Sequence, residues 1–151
     1  MNIPQDFKEF LELLNANNVH YLIVGGYAVS YYSRPKFTND IDVWLENSEN
    51  NAEKTLKVLK EFGFGDLDIS KTDLLNPNRI IQLGYAPIRI DLLMGIKEIK
   101  FAEAYPSRTQ GEYLGIKADF ISLKDLIKNK KACGREKDLQ DLKWIKKYSK
   151  K

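Results

Sequence analysis

One segment constrains the fold more than any other: a β-type run over residues 20–24, "HYLIV", that stops at Gly25-Gly26. Its β-branched and aromatic side chains predict a buried strand, and the paired glycines predict a turn at its end. The residues that follow, "YAVSYYS", are consistent with a short helix packed on that strand. A strand that runs through a tight turn into a helix indicates a layered architecture of helices on a sheet.

The rest of the chain alternates helical and strand patterns in the same way. Helices are predicted over residues 4–16, 27–33, 49–62, 97–105, 123–134 and 136–148, and strands over 20–24, 40–46, 79–84, 87–94 and 117–122. This order predicts an α/β (α+β) fold, a mixed β-sheet flanked by helices. We expect strands 79–84 and 87–94 to be adjacent. The final helix is expected to turn the following apolar residues to one side: Leu139, Leu142, Ile145 and Tyr148.

The composition excludes several kinds of site. The single cysteine, Cys133, rules out an intrachain disulfide or a cysteine-based zinc site, and His20 alone cannot form a histidine cluster. A net charge of +3 does not by itself indicate a nucleic-acid partner. The N-terminus lacks the pattern of a signal peptide, and no apolar run approaches the roughly 20 residues that span a bilayer. We therefore expect a cytoplasmic protein of one domain, with no membrane partner.

Two acidic residues share one face of the strand predicted at residues 40–46. Side chains alternate along a strand, so Asp40 and Asp42 project together, while Ile41 and Val43 point to the core. Neighbouring carboxylates repel each other unless a cation lies between them, and hard oxygen ligands suit Mg²⁺ or Mn²⁺. The pair is consistent either with a metal site or with an ordinary exposed strand edge.

The glycine pair allows two interpretations of the same kind. Glycine lets the backbone approach a ligand closely, and a helix N-terminus offers free N–H groups, so Gly25-Gly26 could hold a phosphate. The pair could equally serve the geometry of the turn alone. The sequence around it is neither a Walker A loop nor the dinucleotide-binding fingerprint.

A third carboxylate lies on another predicted strand. In "PIRIDLLM", Ile88, Ile90 and Leu92 share one face, so Asp91 lies on the opposite face beside Arg89. An ionisable side chain in an apolar strand costs free energy unless it has a partner. Asp91 would complete a three-carboxylate cluster if its strand neighbours residues 40–46; the alternative is a simple pairing with an arginine.

Together these motifs resemble the DNA polymerase β-type nucleotidyltransferase superfamily. "VGGYAV", a basic loop, "TNDIDVWL" and a later "RIDLL" follow its order of turn, helix, Asp-x-Asp strand and third carboxylate. The C-terminal "ISLKDLIKNKKACGREKDLQDL" is similar to small bacterial nucleotidyltransferases, including those related to abortive-infection toxins. The resemblance implies a catalytic core at about residues 19–95 and C-terminal helices at about 122–148.

The resemblance also implies roles for individual residues. Gly25 and Gly26 match the phosphate-binding turn, and Asp40, Asp42 and Asp91 match the metal-binding and catalytic carboxylates. Further expected contacts to the triphosphate or the acceptor are Lys36, Thr38, Lys130 and Arg135. Lys137 and Asp138 fit either such contacts or a structural ion pair.

The implied reaction uses Mg²⁺ (or Mn²⁺) to move a nucleoside monophosphate from an NTP to a hydroxyl, with release of pyrophosphate. The sequence does not determine whether the acceptor is RNA, a protein or a small molecule. One alternative is a non-catalytic protein that binds a protein partner in a toxin–antitoxin or defence system. Another is a metal-dependent phosphohydrolase or nuclease, which would release phosphate from NTP.

Overall fold

The computed structural model describes residues 3–35, 40–65, 68–85 and 88–149. The elements in chain order are α1 (Ile3–Ala16), β1 (Tyr21–Val24), α2 (Gly25–Tyr32), β2 (Asp40–Leu45), α3 (Glu49–Leu59), α4 (Lys71–Leu75), β3 (Ile80–Tyr85), β4 (Ile88–Leu93), α5 (Phe101–Ala104), β5 (Thr109–Tyr113), β6 (Ile116–Phe120), α6 (Leu123–Cys133) and α7 (Glu136–Tyr148). A π-helical turn, Lys60–Phe64, extends α3, and a 3₁₀ turn, Tyr105–Ser107, follows α5.

Six strands form one sheet in the order β3-β4-β2-β1-β6-β5. The pairs β2–β4 and β1–β6 are parallel, and the other three pairs are antiparallel. The predicted mixed sheet flanked by helices is therefore confirmed, as is the adjacency of the strands that carry "RIIQLG" and "PIRIDLLM". The parallel pairing of β2 with β4 places the Asp-x-Asp strand beside the strand of the third carboxylate.

The hydrophobic core follows from the amphipathic patterns. Helix α1 buries Phe7, Phe10, Leu11 and Leu14, at the spacing that brings side chains to one face of a helix. Strand β1 is buried along its whole length, as its continuous apolar run predicts. Helices α6 and α7 contact each other, and both contact α2, which brings the C-terminal helices to the end of β1.

Most element ends coincide with the signals in the sequence. Ser48, Ser70 and Ser122 each accept a hydrogen bond from the backbone N–H three residues later, at the starts of α3, α4 and α6. Helix α6 ends at Gly134, which adopts the left-handed conformation (φ 62°) that an L side chain rarely adopts. The predicted end of this helix at residue 134 is confirmed.

Three features differ from the prediction. Strand β5, "TQGEY", was not predicted because it has no apolar β-branched residue; its pairing with β6 at the edge of the sheet defines it. The five-residue helix α4 was also not predicted. The inward position of Leu139 was wrong, since 45% of this residue is exposed. In α7 the buried residues are Asp138, Asp141 and Ile145, so charge pairing as well as apolar periodicity determines which face is buried.

Within the described residues, no helix is both long enough and apolar enough to cross a membrane.

Candidate active site

The register between β2 and β4 brings two of the predicted carboxylates side by side. Asp42 pairs directly with Asp91, and Asp40 pairs with Arg89. Residues paired across neighbouring strands project from the same face, so these side chains form one polar surface. The same row continues onto β3, where Gln82 pairs with Asp91.

The opposite face of these strands anchors the polar surface. Ile41, Val43, Ile90 and Leu92 are at most 1% exposed and belong to the hydrophobic core. Because these neighbours are packed, the strands cannot rotate about their axes without unpacking the core. The carboxylates therefore stand on a rigid platform.

Gly25 brings the start of α2 against Asp42. Its φ of +68° favours glycine, and a Cβ built at this position would overlap the Asp42 carboxylate, with its Oδ2 the nearest atom. Glycine at position 25 thus lets the backbone at the N-terminus of α2 approach the Asp42 carboxylate more closely than a residue with a side chain would allow. The N–H groups of a helix's first turn have no partner within the helix, so this end is suited to an anion.

The electrostatics of the pair indicate a shortage of positive charge. Burial and the neighbouring Asp91 raise the pKa of Asp42 to about 6, although Lys137 and Lys130 oppose the shift. Burial also raises the pKa of Asp91, against a hydrogen bond from Arg89. Two carboxylates this close favour a bound cation.

The guanidinium of Arg89 forms ion pairs with Asp40 and Asp91. Its Nη2 lies 3.4 Å from Asp40 Oδ2, and its Nε donates to Asp91 Oδ1 at 3.0 Å. Within the described ranges, no three acidic, histidine or cysteine side chains converge on a point that could hold a metal ion. The guanidinium instead links Asp40 to Asp91. The carboxylate oxygens of the paired Asp42 and Asp91, with Asp42 lacking an ion pair in the part of the chain described, are nevertheless the kind of ligand that a hard divalent cation prefers.

A second charge cluster joins α6 to α7. Lys130 is 4% exposed, and its Nζ lies 3.3 Å from Asp138 Oδ1 and 2.9 Å from Asp141 Oδ2. Arg135 donates from Nε to Asp138 Oδ2 at 2.7 Å. Burial opposes ionisation of Asp138, but the Arg135 hydrogen bonds and the Lys130 charge lower its pKa. Direct contact of Lys130 with a triphosphate would therefore require it to leave two carboxylates.

Seven of the residues that the resemblance implicated line one cavity of about 620 Å³ between the sheet and the C-terminal helices: Gly25, Gly26, Asp40, Asp42, Asp91, Lys130 and Arg135. Lys36 and Thr38 lie outside the described residues. Of the two alternatives for Lys137 and Asp138, a structural ion pair between them is not observed, because Asp138 pairs with Lys130 and Arg135. Lys137 lines the cavity.

Sequence reasoning missed one candidate in this cavity, Gln82, and did not anticipate that Arg89 bridges two carboxylates. The alternation of "RIIQLG" with "RIDLL" contained the signal for Gln82, since a hairpin between the two strands pairs this residue with Asp91. The register could not be predicted from the segments alone, because it depends on the length of the connection between them.

A family comparison assigns the chain to a class of enzymes. The sequence model of one family, described as nucleotidyl transferase of unknown function (DUF2204), matches residues 4–151. The chain belongs to this family. A comparison with curated proteins finds no match. The family assignment confirms the resemblance to polymerase β-like nucleotidyltransferases and supports nucleotide transfer as the general activity.

Solved structures of nucleotidyltransferases share the fold. A protein from Thermotoga maritima described as a nucleotidyltransferase (TM1012) superposes with a TM-score of 0.60 at 16% identity, over 93% of this chain and 91% of its own. The lincosamide antibiotic adenylyltransferase LnuA, bound to lincomycin, gives 0.56 at 16% identity, over 94% and 95%. ANT(2″)-Ia, in complex with adenylyl-2″-tobramycin, gives 0.60 at 12% identity, over 95% and 87%.

Proposed function

We propose that this protein transfers a nucleoside monophosphate from an NTP to the hydroxyl of an acceptor, with a divalent cation, Mg²⁺ or Mn²⁺. The observation that carries the proposal is the pairing of Asp42 with Asp91 on a rigid platform, directly beside the glycine turn that begins α2. Carboxylates with raised pKa values next to an anion-binding helix end are suited to a cation and a phosphate together.

The cation would be held by Asp42 and Asp91, with Asp40 as a further ligand. When bound, it would neutralise charge on the triphosphate and make the acceptor hydroxyl more acidic. Binding there would release Arg89 from Asp40 and Asp91, since the guanidinium and the cation compete for the same oxygens.

The residues of the chain would carry the remaining steps. The backbone at Gly25 and Gly26 binds phosphate oxygens, and Lys137 and Arg135 line the cavity where they neutralise the leaving group. Asp91 accepts the proton of the acceptor hydroxyl. The hydroxyl oxygen forms a bond to the α-phosphorus, the bond from that phosphorus to the bridging oxygen breaks, and pyrophosphate leaves.

We further propose that the acceptor is a small molecule. LnuA is a lincosamide antibiotic adenylyltransferase with bound lincomycin, and ANT(2″)-Ia is held with an adenylylated tobramycin. Both superpositions include 94% or more of this chain. The likeness of fold supports a small-molecule acceptor, and the acceptor assay described below tests it.

The test of transfer is an NTP panel incubated with Mg²⁺ and a cell extract, in which pyrophosphate and phosphate are measured separately. We expect pyrophosphate release and transfer of an α-phosphate label, and a loss of about a thousandfold in Asp42→Asn. Asp68→Asn is the control, since Asp68 is exposed and lies outside the cavity. Release of phosphate would indicate a phosphohydrolase. A wild-type protein that releases neither product and binds no NTP would contradict the proposal. That result would favour a partner-binding protein.

A pair of glycine variants distinguishes the effect of displacing Asp42 from the effect of backbone strain on transfer activity. Gly25 and Gly115 both have a positive φ, but a Cβ at Gly115 would meet nothing within 4 Å, whereas one at Gly25 would overlap Asp42. We expect Gly25→Ala to reduce transfer at least about a hundredfold and Gly115→Ala to leave it near the wild-type rate. Equal losses in the two variants would mean that strain, rather than displacement of Asp42, limits activity.

A further inference from the structure

A single row of residues crosses four strands at the floor of the cavity. Val24 pairs with Asp42, Asp42 pairs with Asp91, and Asp91 pairs with Gln82. Neighbouring strands are about 4.8 Å apart, so this row spans about 14 Å. The glycine turn that follows Val24 lies at one end of the row, and Gln82, on the edge strand β3, lies at the other.

Under the proposed function, the order of this row indicates on which side of the reacting phosphorus the triphosphate and the acceptor each lie. Phosphoryl transfer requires the attacking and leaving oxygens to lie roughly in line with the phosphorus between them. With the reacting phosphorus over Asp42 and Asp91, a pyrophosphate at Gly25 leaves toward β1. The attacking hydroxyl must then approach from the opposite side, which is the surface of β3.

The surface of β3 differs chemically from the phosphate side. Ile80 pairs with Leu93 on the same face as Gln82 and Asp91, and 56% of Ile80 is exposed. Ile96 adds a third apolar side chain to this part of the cavity lining. Gln82 is exposed and makes no hydrogen bond within the described part of the chain. The floor therefore offers an apolar patch beside one free amide.

The charges of the cavity disfavour a polyanionic acceptor on this side. Lys130 and Arg135 belong to the C-terminal helices, where Lys130 is held by Asp138 and Asp141 and Arg135 by Asp138. Among the described lining residues near the Leu93 end of β4, Lys97 alone is basic. Binding of nucleic acid depends on several cations along the phosphate backbone.

We propose that the surface formed by Ile80, Gln82, Leu93 and Ile96 is the acceptor subsite, and that it takes a neutral small molecule with a hydroxyl beside an apolar ring face. The ring lies on Ile80 and Leu93, and the Gln82 amide orients the hydroxyl toward Asp91. The proton passes to the Asp91 carboxylate as the oxygen–phosphorus bond forms. Gln82 is thus a positioning residue, and Ile80 determines specificity. This inference rests on the proposed function.

The acceptor assay uses an α-phosphate-labelled NTP, Mg²⁺ and three kinds of acceptor: a panel of neutral aryl and alkyl glycosides together with a deproteinised, RNase-treated extract; total RNA; and a protein fraction. We expect the label in the first. With that acceptor, Ile80→Ser should raise KM about tenfold at nearly constant kcat, and Ile80→Val should restore it. Gln82→Ala should lower kcat/KM by about tenfold. NTP affinity with Mg²⁺ should be unchanged in all three variants.

Two matched controls lie at the far edge of the same sheet. Leu114 is also 56% exposed, and Gln110 is an exposed glutamine on β5, so Leu114→Ser and Gln110→Ala should leave acceptor KM and kcat unchanged. Label found only in RNA or protein would overturn the subsite, as would Ile80→Ser and Gln82→Ala variants that behave like these controls. No label in any fraction would instead overturn the proposed function itself.

Discussion

Two pairs of aspartates have opposite environments, and three of the four residues, Asp42, Asp91 and Asp141, line the cavity. Asp138 and Asp141, on α7, share the buried ammonium of Lys130, and the pKa of Asp138 is lowered. Asp42 and Asp91, on the sheet, have raised pKa values, and that of Asp42 is about 6. The difference lies in the cations. The helical pair forms ion pairs with Lys130, whereas among the described residues the sheet pair has one ion pair, from Arg89 to Asp91, and Lys137 and Lys130 lower the pKa of Asp42 only in part.

The contrast distinguishes an ion-pair cluster that stabilises the fold from a carboxylate pair that is suited to binding a cation. A buried ion pair that is complete within the protein holds elements together, here α6 against α7, and its removal leaves an uncompensated charge. A carboxylate pair with insufficient positive charge is unfavourable for folding and favourable for an added cation, which is typical of functional sites. The same residue type therefore has different electrostatic environments in the two pairs.

The largest effect should come from removing the cation of the helical pair. Lys130→Met keeps much of the side-chain volume but leaves Asp138 and Asp141 buried without their ammonium, so we expect a loss of about 3–5 kcal/mol in the free energy of unfolding. Denaturant unfolding measures it. Lys131→Met is the control, because Lys131 is exposed on the same helix. Equal stabilities of the two variants would show that the cluster contributes little to the fold.

The next effect concerns the cation that we propose for the sheet pair. Mg²⁺ at about 100 times its Kd should raise the free energy of unfolding by about 2.7 kcal/mol, and a chelator should reverse the gain. The gain should be absent in Asp42→Asn. Thermal unfolding in Mg²⁺, compared with NaCl of the same ionic strength, measures it. Stabilisation of Asp42→Asn equal to that of the wild type would place the cation elsewhere.

The two pairs should respond to pH with opposite sign. The pKa of Asp42 rises from 3.8 to about 6 on folding, so the unfolded chain releases this proton first and stability falls as the pH rises between those values. A rise of that size corresponds to at most about 3 kcal/mol, reduced to about 1–2 kcal/mol because the carboxylate is half-buried. With a chelator present, Asp42→Asn should therefore match the wild type near about pH 3.5 and exceed it by that amount above pH 6.

Asp138 provides the opposite case in the same titration. Its pKa is lowered on folding, so its contribution is complete above the ordinary value of 3.8 and is lost as the pH falls through the lower value in the fold. Asp138→Asn should thus be less stable than the wild type at neutral pH and should approach it in acid. Unfolding curves at several pH values measure both variants. The same sign of pH dependence in both would remove the distinction between the pairs.

The smallest effect should follow from removing Arg89. Its ion pairs with Asp40 and Asp91 are partly exposed, so Arg89→Gln should cost about 1 kcal/mol in the absence of metal. Because the guanidinium competes with a cation, the same variant should gain more stability from Mg²⁺ than the wild type does. Arg79→Gln, which removes an exposed pairing with Asp73, is the control. A smaller gain from Mg²⁺ in Arg89→Gln would mean that Arg89 supports the cation instead.

Much of the fold could be predicted because its signals are local. The β-type runs, the serine caps and the glycine that ends α6 each depend on neighbouring residues, and the structure confirms them. Strand β5 and helix α4 escaped prediction because β5 is defined by its partner strand, and α4, at five residues, is too short to show a helical periodicity. Leu139 was misplaced because the ion pairs of Asp138 and Asp141, as well as apolar periodicity, orient α7.

For the candidate site, the sequence alone determined which residue types are present and on which face of its strand each lies, since alternation is a property of the backbone. It could not determine that Asp42 stands opposite Asp91, that Gln82 extends the same row, or that Lys130 is taken by two carboxylates. These relations are matters of register and of helix packing. They join residues far apart in the chain, and only the free energy of the whole packed structure selects among the alternatives.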